Sequence, residues 1–152
     1  MNKIQKQVLE FHQKASQLIN TKPTDVDAQT AILRVRLLLE EVLEFAEASG
    51  VEILTKEGDN LDTTSLKDGE LTFSHTGRAN LIEIADALGD IDYVSAGAAI
   101  CYGIDMEPIN DHVHSSNMSK FISGFKDENG KWNKGKDYTP VNLAPILQQQ
   151  GM

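Results

Sequence analysis

The sequence predicts an all-α protein, organised as a four-helix bundle with an irregular C-terminal tail. Three observations lead to this prediction. Four segments repeat apolar residues at intervals of three and four, most connections between them are short, and glycines and a proline interrupt the chain after residue 123. The chain has 152 residues, which is the size of one domain with a buried core. We therefore expect a single domain over residues 1–152.

Four helices are expected in order, over residues 4–19, 25–49, 78–102 and 107–121. Thr24 or Asp25 is the expected N-cap of the second helix, since both residue types accept hydrogen bonds from the first turn. Gly50 ends this helix and Gly103 ends the third, as glycine commonly does one residue beyond a C-cap. Pro108 suits the first turn of the fourth helix.

The polar segment 51–77 separates the second and third main helices. Alternating apolar residues near both of its ends allow a small β-hairpin insertion, and these residues are Val51, Ile53, Leu71 and Phe73. The tail over residues 123–152 is expected to be irregular, with the apolar stretch Val141–Leu147 docking it on the helices.

Charge is unevenly distributed along the chain. The total is 14 basic and 23 acidic residues, a net charge of −9, which disfavours binding of a nucleic-acid polymer. Sixteen carboxylates and five basic residues lie between Asp25 and Asp92, whereas five lysines lie between Asn117 and Tyr138. An acidic centre and a basic tail suggest metal cations and an anionic substrate. The alternative is an acidic surface that keeps the protein soluble.

Neither a membrane span nor a disulfide is expected. The longest mostly apolar stretch, Val94–Cys101, is too short to cross a bilayer. The N-terminus lacks the apolar core of a signal peptide, and the single cysteine, Cys101, has no partner in the chain. We expect a cytoplasmic protein, with Cys101 in the core among small apolar residues.

Carboxylates recur at steps of three and four in two helical segments, so that each set shares one helix face. The sets are Glu40, Glu44 and Glu47, with Glu41 beside them, and Glu83, Asp86 and Asp90. Apolar residues surround the second set on nearly every side, which predicts a buried helix. Buried carboxylates need compensating cations, and oxygen ligands select Mg²⁺ or Mn²⁺. A solvated face is the alternative, above all for the first set. A di-iron site is disfavoured because no Glu-x-x-His is present.

Other polar residues are weaker candidates. His112 and His114, with Asp111, are expected at the polar surface or in packing, because positions two apart do not face each other on a helix. His12 is expected to pack between helices or to contact a base. Lys120 and Asn117 lie three apart and can project together toward a phosphate. The expected position of the remaining tail lysines is a solvated loop, and these are Lys131, Lys134 and Lys136.

Four stretches, taken in order, resemble the MazG-like all-α nucleotide pyrophosphohydrolases, which include relatives of phosphoribosyl-ATP pyrophosphohydrolase and the dimeric dUTPases. The acidic stretches Arg36–Glu44 and Glu83–Tyr93 match the Glu-x-x-Glu … Glu-x-x-Asp pattern. Two more stretches resemble the branch found in phages and bacteria: Phe11-His12 with Pro23-Thr24, and Ser116–Phe121 with Lys134-Gly135, Tyr138 and Pro140. The chain departs from the pattern in the longer gap between Glu44 and Glu83.

The resemblance implies hydrolysis of a nucleoside triphosphate to the monophosphate and pyrophosphate. It implies that Glu40 orients or deprotonates the attacking water and that Mg²⁺, or Mn²⁺ in its place, is held by Glu41, Glu44, Glu83 and Asp86. Contacts to substrate are expected from His12, Asp90, Asn117, Lys120, Lys134, Lys136 and Tyr138. It further implies a homodimer or homotetramer with sites completed across subunits.

Three functions follow as hypotheses. The first is an Mg²⁺-dependent nucleotide diphosphatase that controls or cleans the nucleotide pool. The second is phosphoribosyl-ATP hydrolysis, which the long insertion and the tail disfavour. The third is a non-catalytic helical oligomer that uses its acidic face for partners or structural metal.

Overall fold

The computed structural model describes residues 2–69, 71–77, 79–127 and 131–152. Within them the chain forms six helices and two short strands, in the order α1 (Lys3–Ala15), α2 (Ala28–Ala48), α3 (Thr63–Lys67), α4 (Leu81–Cys101), α5 (Met106–Ser123), β1 (Phe125–Lys126), β2 (Trp132–Asn133) and α6 (Ala144–Gln149). The all-α prediction is confirmed. Arg78, where the third predicted helix begins, and Gly130, one of the tail glycines, lie outside the described residues.

The chain divides into two compact units. One comprises Met1–Thr24 and Asn80–Met152, and the other comprises Asp25–Ala79. None of the described helices combines the length and the apolar character needed to cross a membrane.

In the first unit, α1 and α5 pack together. The rings of Phe11 and Phe121 lie 5.0 Å apart, and Asp111 accepts hydrogen bonds from Lys3 Nζ and Gln7 Nε2, both at 2.8 Å. The Lys3 hydrogen bond is the main cause that holds the pKa of Asp111 below its ordinary 3.8. α1 ends at Ala15, short of the predicted Ile19, because Ser16 adopts a left-handed conformation.

The tail folds back along α5. Its strands pair antiparallel, with Phe125 opposite Asn133, and the Trp132 ring meets Phe121 at 4.8 Å. Trp132 Nε1 also donates to the carbonyl of Ala15 at 3.4 Å, which satisfies an acceptor at the end of α1. Ile146 in α6 is buried, so the expectation that the apolar stretch near the C-terminus docks the tail is confirmed.

In the second unit, the N-cap of α2 lies two residues after the predicted Asp25. Asp27 is the N-cap and accepts from Thr30 N at 2.7 Å, whereas Asp25 accepts from its neighbour Val26 N at 2.8 Å. The predicted cap at Thr24 or Asp25 was therefore wrong. Thr24, Asp25 and Asp27 can all accept hydrogen bonds from a first helical turn, and their spacing in the sequence does not decide which of them caps α2. Gly50, at a φ of +69°, ends α2 as predicted.

The segment after α2 forms a tight hairpin and a short helix. Leu54 and Asn60 form an isolated bridge, and Leu61 N donates to Ile53 O at 2.7 Å. The pairing lies within residues 53–61 and does not involve the second alternating stretch near Phe73. The helix α3 follows, capped by Asp62 and not foreseen from the sequence.

The prediction that α4 is buried within the chain is wrong. Every residue from Leu81 to Gly97 is exposed, and Ile82 and Tyr93 keep 80% and 81% of their surface accessible. A helix that is apolar on every side needs neighbours on every side. Within α4, as the structure describes it, only Ala98 and Ala99 are half-buried. Cys101 is likewise exposed rather than in the core.

Replacement of the α2 cap should destabilise the protein in a pH-dependent way. Hydrogen bonds from Thr30 hold the pKa of Asp27 below its ordinary 3.8, so its stabilising effect is present above that pH and is lost as the pH falls through the folded pKa. Asp27→Ala should therefore lower the melting temperature at pH 7 and should approach the wild type at a pH well below 3.8.

Thermal melting monitored by circular dichroism at both pH values measures this effect, with Asp25→Ala as the matched control. Equal melting temperatures for the two variants at pH 7 would show that Asp27 is not the cap that stabilises α2.

Candidate functional site

The first acidic set lies in the C-terminal half of α2. Glu40 is half-buried, and Glu41, Glu44 and Glu47 are exposed. The helix is continuous from Ala28 to Ala48, so Glu41 and Glu44 are neighbours three positions apart, with Cβ atoms about 5–6 Å from each other. Two adjacent carboxylates of this kind can ligate one cation together.

The second acidic set lies in the N-terminal half of α4. Asn80 caps this helix, and its side chain accepts from Ile82 N at 3.1 Å and Glu83 N at 3.5 Å. Glu83 stands in the first turn, where the positive end of the helix dipole favours a carboxylate. Asp86 and Asp90 follow at helical spacing, and all three acids are exposed.

The donor set suits a hard divalent cation. All the ligands available on the two acidic faces are carboxylate oxygens, which Mg²⁺ and Mn²⁺ prefer over zinc. Across residues 2–69, 71–77, 79–127 and 131–152, no three Asp, Glu, His or Cys side chains form one metal-binding group. The acids therefore form two separate pairs, Glu41 with Glu44 and Glu83 with Asp86.

The exposure of α4 changes the argument for a cation. In the single chain, burial cannot be the reason why the second acidic set needs a cation, because Glu83, Asp86 and Asp90 are accessible to solvent. Repulsion between like charges at steps of three and four remains, and a bound cation relieves it.

The predicted phosphate contacts lie on α5 and in the tail. Asn117 and Lys120 are half-buried neighbours on α5. Lys134 Nζ lies 5.0 Å from the centre of the Tyr138 ring, which is a favourable cation–π distance. Lys136 is exposed. The structure thus brings Lys134 and Tyr138 together, on a loop that returns to α5.

Ser116 fixes this loop to α5. Its Oγ lies 2.8 Å from both the Tyr138 hydroxyl and the Thr139 carbonyl oxygen. Because a serine hydroxyl carries one hydrogen, it donates to the Thr139 carbonyl and accepts from the Tyr138 hydroxyl. Ser116 is buried, and loss of such an interaction is costly there.

Two tail glycines allow the loop to approach α5. A Cβ atom at Gly124 would collide with the carbonyl oxygens of Lys120 and Asn133. A Cβ atom at Gly135 would collide with the carbonyl oxygen of Ser123. Any larger residue would therefore move the lysine-bearing loop away from α5.

The histidines make local contacts. His12 Nδ1 lies 3.1 Å from the Leu18 carbonyl oxygen, and His112 Nδ1 lies 2.9 Å from that of Pro108. His114 Nε2 lies 3.4 Å from Glu10. For His112 and His114 the expectation of surface or packing roles is confirmed. Asp111 joins the contacts of α1 rather than a metal patch.

A feature that the sequence did not reveal is a cavity beside α2. Its volume is about 420 Å³. It is lined by Leu43, Ala46, Glu47, Gly50, Val51, Glu52, Asn60, Leu61 and Asp62. The insertion after Gly50 was the only indirect signal for it, because a cavity depends on how that segment folds back.

Comparison with known proteins identifies the family. Residues 8–117 match the family described as phosphoribosyl-ATP pyrophosphohydrolase. The chain belongs to this family. Both acidic sets lie inside the matched region, whereas the lysine-bearing tail follows it. The chain is thus a pyrophosphohydrolase, and the predicted resemblance is confirmed at the level of family and enzyme class.

A solved structure supports the fold of this family member. The chain is similar, with a TM-score of 0.65 and 21% sequence identity, to a candidate NTP pyrophosphohydrolase from Exiguobacterium sp. 255-15. The similarity covers 98% of this chain and 94% of the other. It extends over the insertion and the tail, so the fold includes both. No curated protein matches the chain.

Proposed function

We propose that the chain hydrolyses nucleoside or deoxynucleoside triphosphates to the monophosphate and pyrophosphate with Mg²⁺. The observation that carries this proposal is the pair of carboxylates at helical spacing on both α2 and α4 of a pyrophosphohydrolase. A phosphoanhydride is cleaved mainly by positioning and by neutralisation of charge. Carboxylates that bind divalent cations provide this neutralisation of charge.

Glu41, Glu44, Glu83 and Asp86 would hold Mg²⁺, with Mn²⁺ as a substitute. When bound, the ion neutralises phosphate charge and makes a bound water more acidic. The four side chains contribute only oxygen ligands and a total charge that suits divalent cations. Their exposure leaves them open to a substrate.

Glu40 is proposed as the catalytic carboxylate. It lies one turn before Glu44 on the same helix face and is half-buried, whereas Glu41 and Glu44 are exposed. A carboxylate in this position can accept the proton of a water molecule that attacks phosphorus. Its two oxygens also orient that water before attack.

The substrate contacts come from the remaining residues. Lys120, Lys134 and Lys136 would neutralise phosphate charge that the metal does not reach, and Asn117 would donate from its side-chain amide. His12, Asp90 and Tyr138 complete the proposed set. The Ser116 contacts described above hold Tyr138, and the cation–π contact orients Lys134.

Phosphoribosyl-ATP is the second candidate substrate. The description of the matching family favours it. Both candidate reactions release pyrophosphate from a triphosphate, so the two sets of carboxylates serve either one. The base and the sugar distinguish the substrates, and an assay with both compounds separates them.

The proposed setting is the cytoplasm, where the enzyme would control or clean the nucleotide pool. The proposed substrates are nucleotides, which are present in the cytoplasm. The single cysteine requires no oxidising compartment.

We propose a homodimer or homotetramer assembled through α4. This helix exposes apolar side chains on several sides, among them Leu88 at 50% and Ile82 at 80% of their surface. Exposed apolar surface of this extent is typical of an interface. A second copy of the chain would bury it and would bring further side chains to the acidic face.

Loss of one proposed ligand on either helix should abolish turnover. Glu41→Gln and Glu83→Gln should each lower kcat/KM at least about a hundredfold at limiting Mg²⁺, because an anionic ligand is removed. The measurement is pyrophosphate and orthophosphate release from nucleoside triphosphates and phosphoribosyl-ATP. Glu57→Gln is the control, since Glu57 is an exposed carboxylate in the hairpin after α2.

The possible results lead to different conclusions. Near-normal activity in either ligand variant would contradict the four-carboxylate set. Release of orthophosphate alone, or no turnover of any triphosphate, would contradict the proposed function. Turnover confined to phosphoribosyl-ATP would favour the second candidate.

The proposed assembly predicts an effect of charge on α4. Leu88→Lys should shift the sedimentation coefficient toward that of a monomer, because a lysine would have to be desolvated in the interface. Ile122→Lys on α5, a residue that is 68% exposed, is the matched control and should leave assembly unchanged. A wild-type chain that sediments as a monomer at micromolar concentration would contradict assembly through α4.

A further inference from the structure

The cavity beside α2 is built from the inserted segment. Gly50 reverses the chain at the end of α2, and the Val51 N–H donates back to the Ala46 carbonyl oxygen at 2.9 Å. The hairpin over residues 53–61 then returns to the helix, and α3 continues from it. The result is a concave space with one wall from α2 and the other from the insertion.

Internal hydrogen bonds hold the insertion wall in place. Glu47 Oε1 accepts from Thr63 N at 2.8 Å, which ties α2 to the start of α3. Asp62 Oδ1 accepts from Ser65 N at 3.0 Å, and this bond is the first cause of its lowered pKa. Arg36 Nη2 donates to the Leu66 carbonyl oxygen at 3.3 Å. The cavity therefore has a preformed shape.

Glu52 and Asn60 bring acceptor oxygens to the lining of the cavity. Asn60 donates its Nδ2 to Asp62 Oδ2 at 3.2 Å, so its carbonyl oxygen is the end with acceptor capacity. Glu52 is exposed, and within the described part of the chain its carboxylate takes no part in the bonds that hold the insertion. Leu43, Val51 and Leu61 supply apolar surface, on which an aromatic ring can lie.

The cavity is adjacent to the proposed ligands on α2. Leu43 and Glu47 line it, and Glu44 lies between them in the same helix. Glu44 and Glu47 are neighbours three positions apart, with Cβ atoms about 5–6 Å from each other. A nucleotide whose phosphates are held near Glu44 can therefore reach the cavity with its base.

We propose that this cavity receives the nucleobase and prefers adenine and cytosine, which carry an exocyclic amino group at purine position 6 and pyrimidine position 4. This inference rests on the proposed function and names its specificity. Adenine and cytosine would donate this amino group to Glu52. Guanine, uracil and thymine carry an oxygen at the corresponding position, and it would face a carboxylate without a hydrogen atom between them.

The test compares substrates and a matched pair of variants. Values of kcat/KM for ATP, CTP, GTP, UTP and TTP are measured by pyrophosphate release from the full chain. The wild type should favour ATP and CTP over GTP, UTP and TTP. Glu52→Gln should reduce the preference for CTP over UTP about tenfold, since a charge-assisted hydrogen bond is lost. Glu57→Gln, an equal change in the same hairpin but outside the cavity lining, should retain the wild-type preference.

Failure of this inference differs from failure of the proposed function. Equal turnover of all five nucleotides by the wild type would overturn base recognition and leave pyrophosphohydrolysis intact. Unchanged preference in Glu52→Gln, or an equal change in Glu57→Gln, would overturn the role of Glu52. No pyrophosphate release from any triphosphate would overturn both proposals.

Discussion

Repulsion between carboxylates is the constraint on which this account of the site depends. Glu41 and Glu44 are neighbours on α2, and Glu83 and Asp86 are neighbours on α4. Like charges at this spacing destabilise an isolated helix. The chain offsets part of that cost through the Asn80 cap and the first-turn position of Glu83. A divalent cation would offset the rest, so the same charges that weaken the helices would make them a catalytic site.

The basic tail is held against α5 by a few specific contacts. Ser116 binds both Tyr138 and Thr139, and Lys134 lies over the Tyr138 ring. Close contact with α5 requires glycine at positions 124 and 135. These contacts give Lys134 a defined position, and preorganised positive charge is what a phosphoryl transition state needs.

The main helices could be predicted from local signals in the sequence. The features that these signals missed depend on tertiary contacts. Gly50 and Gly103 mark helix ends because a positive φ is required there. The cap at Asp27 was missed because neighbouring residues have the same chemistry. α3 is too short for periodicity, and its stability comes from the Glu47 and Asp62 contacts. The apolar surface of α4 was recognised, but its exposure was not, since burial depends on what covers a helix. The site acids could be named from spacing and resemblance, whereas the cavity could not.

The central proposal is that the acids of α2 and the acids of α4 take part in binding divalent cations. The most direct measurement is the melting temperature of the full chain as Mg²⁺ rises from zero to several millimolar, a range that suits weak carboxylate sites. The account predicts a rise in the wild type, because a ligand of the folded state stabilises it, and a smaller rise in both Glu41→Gln and Glu83→Gln. A melting temperature independent of Mg²⁺, or an undiminished rise in either variant, would contradict the claim.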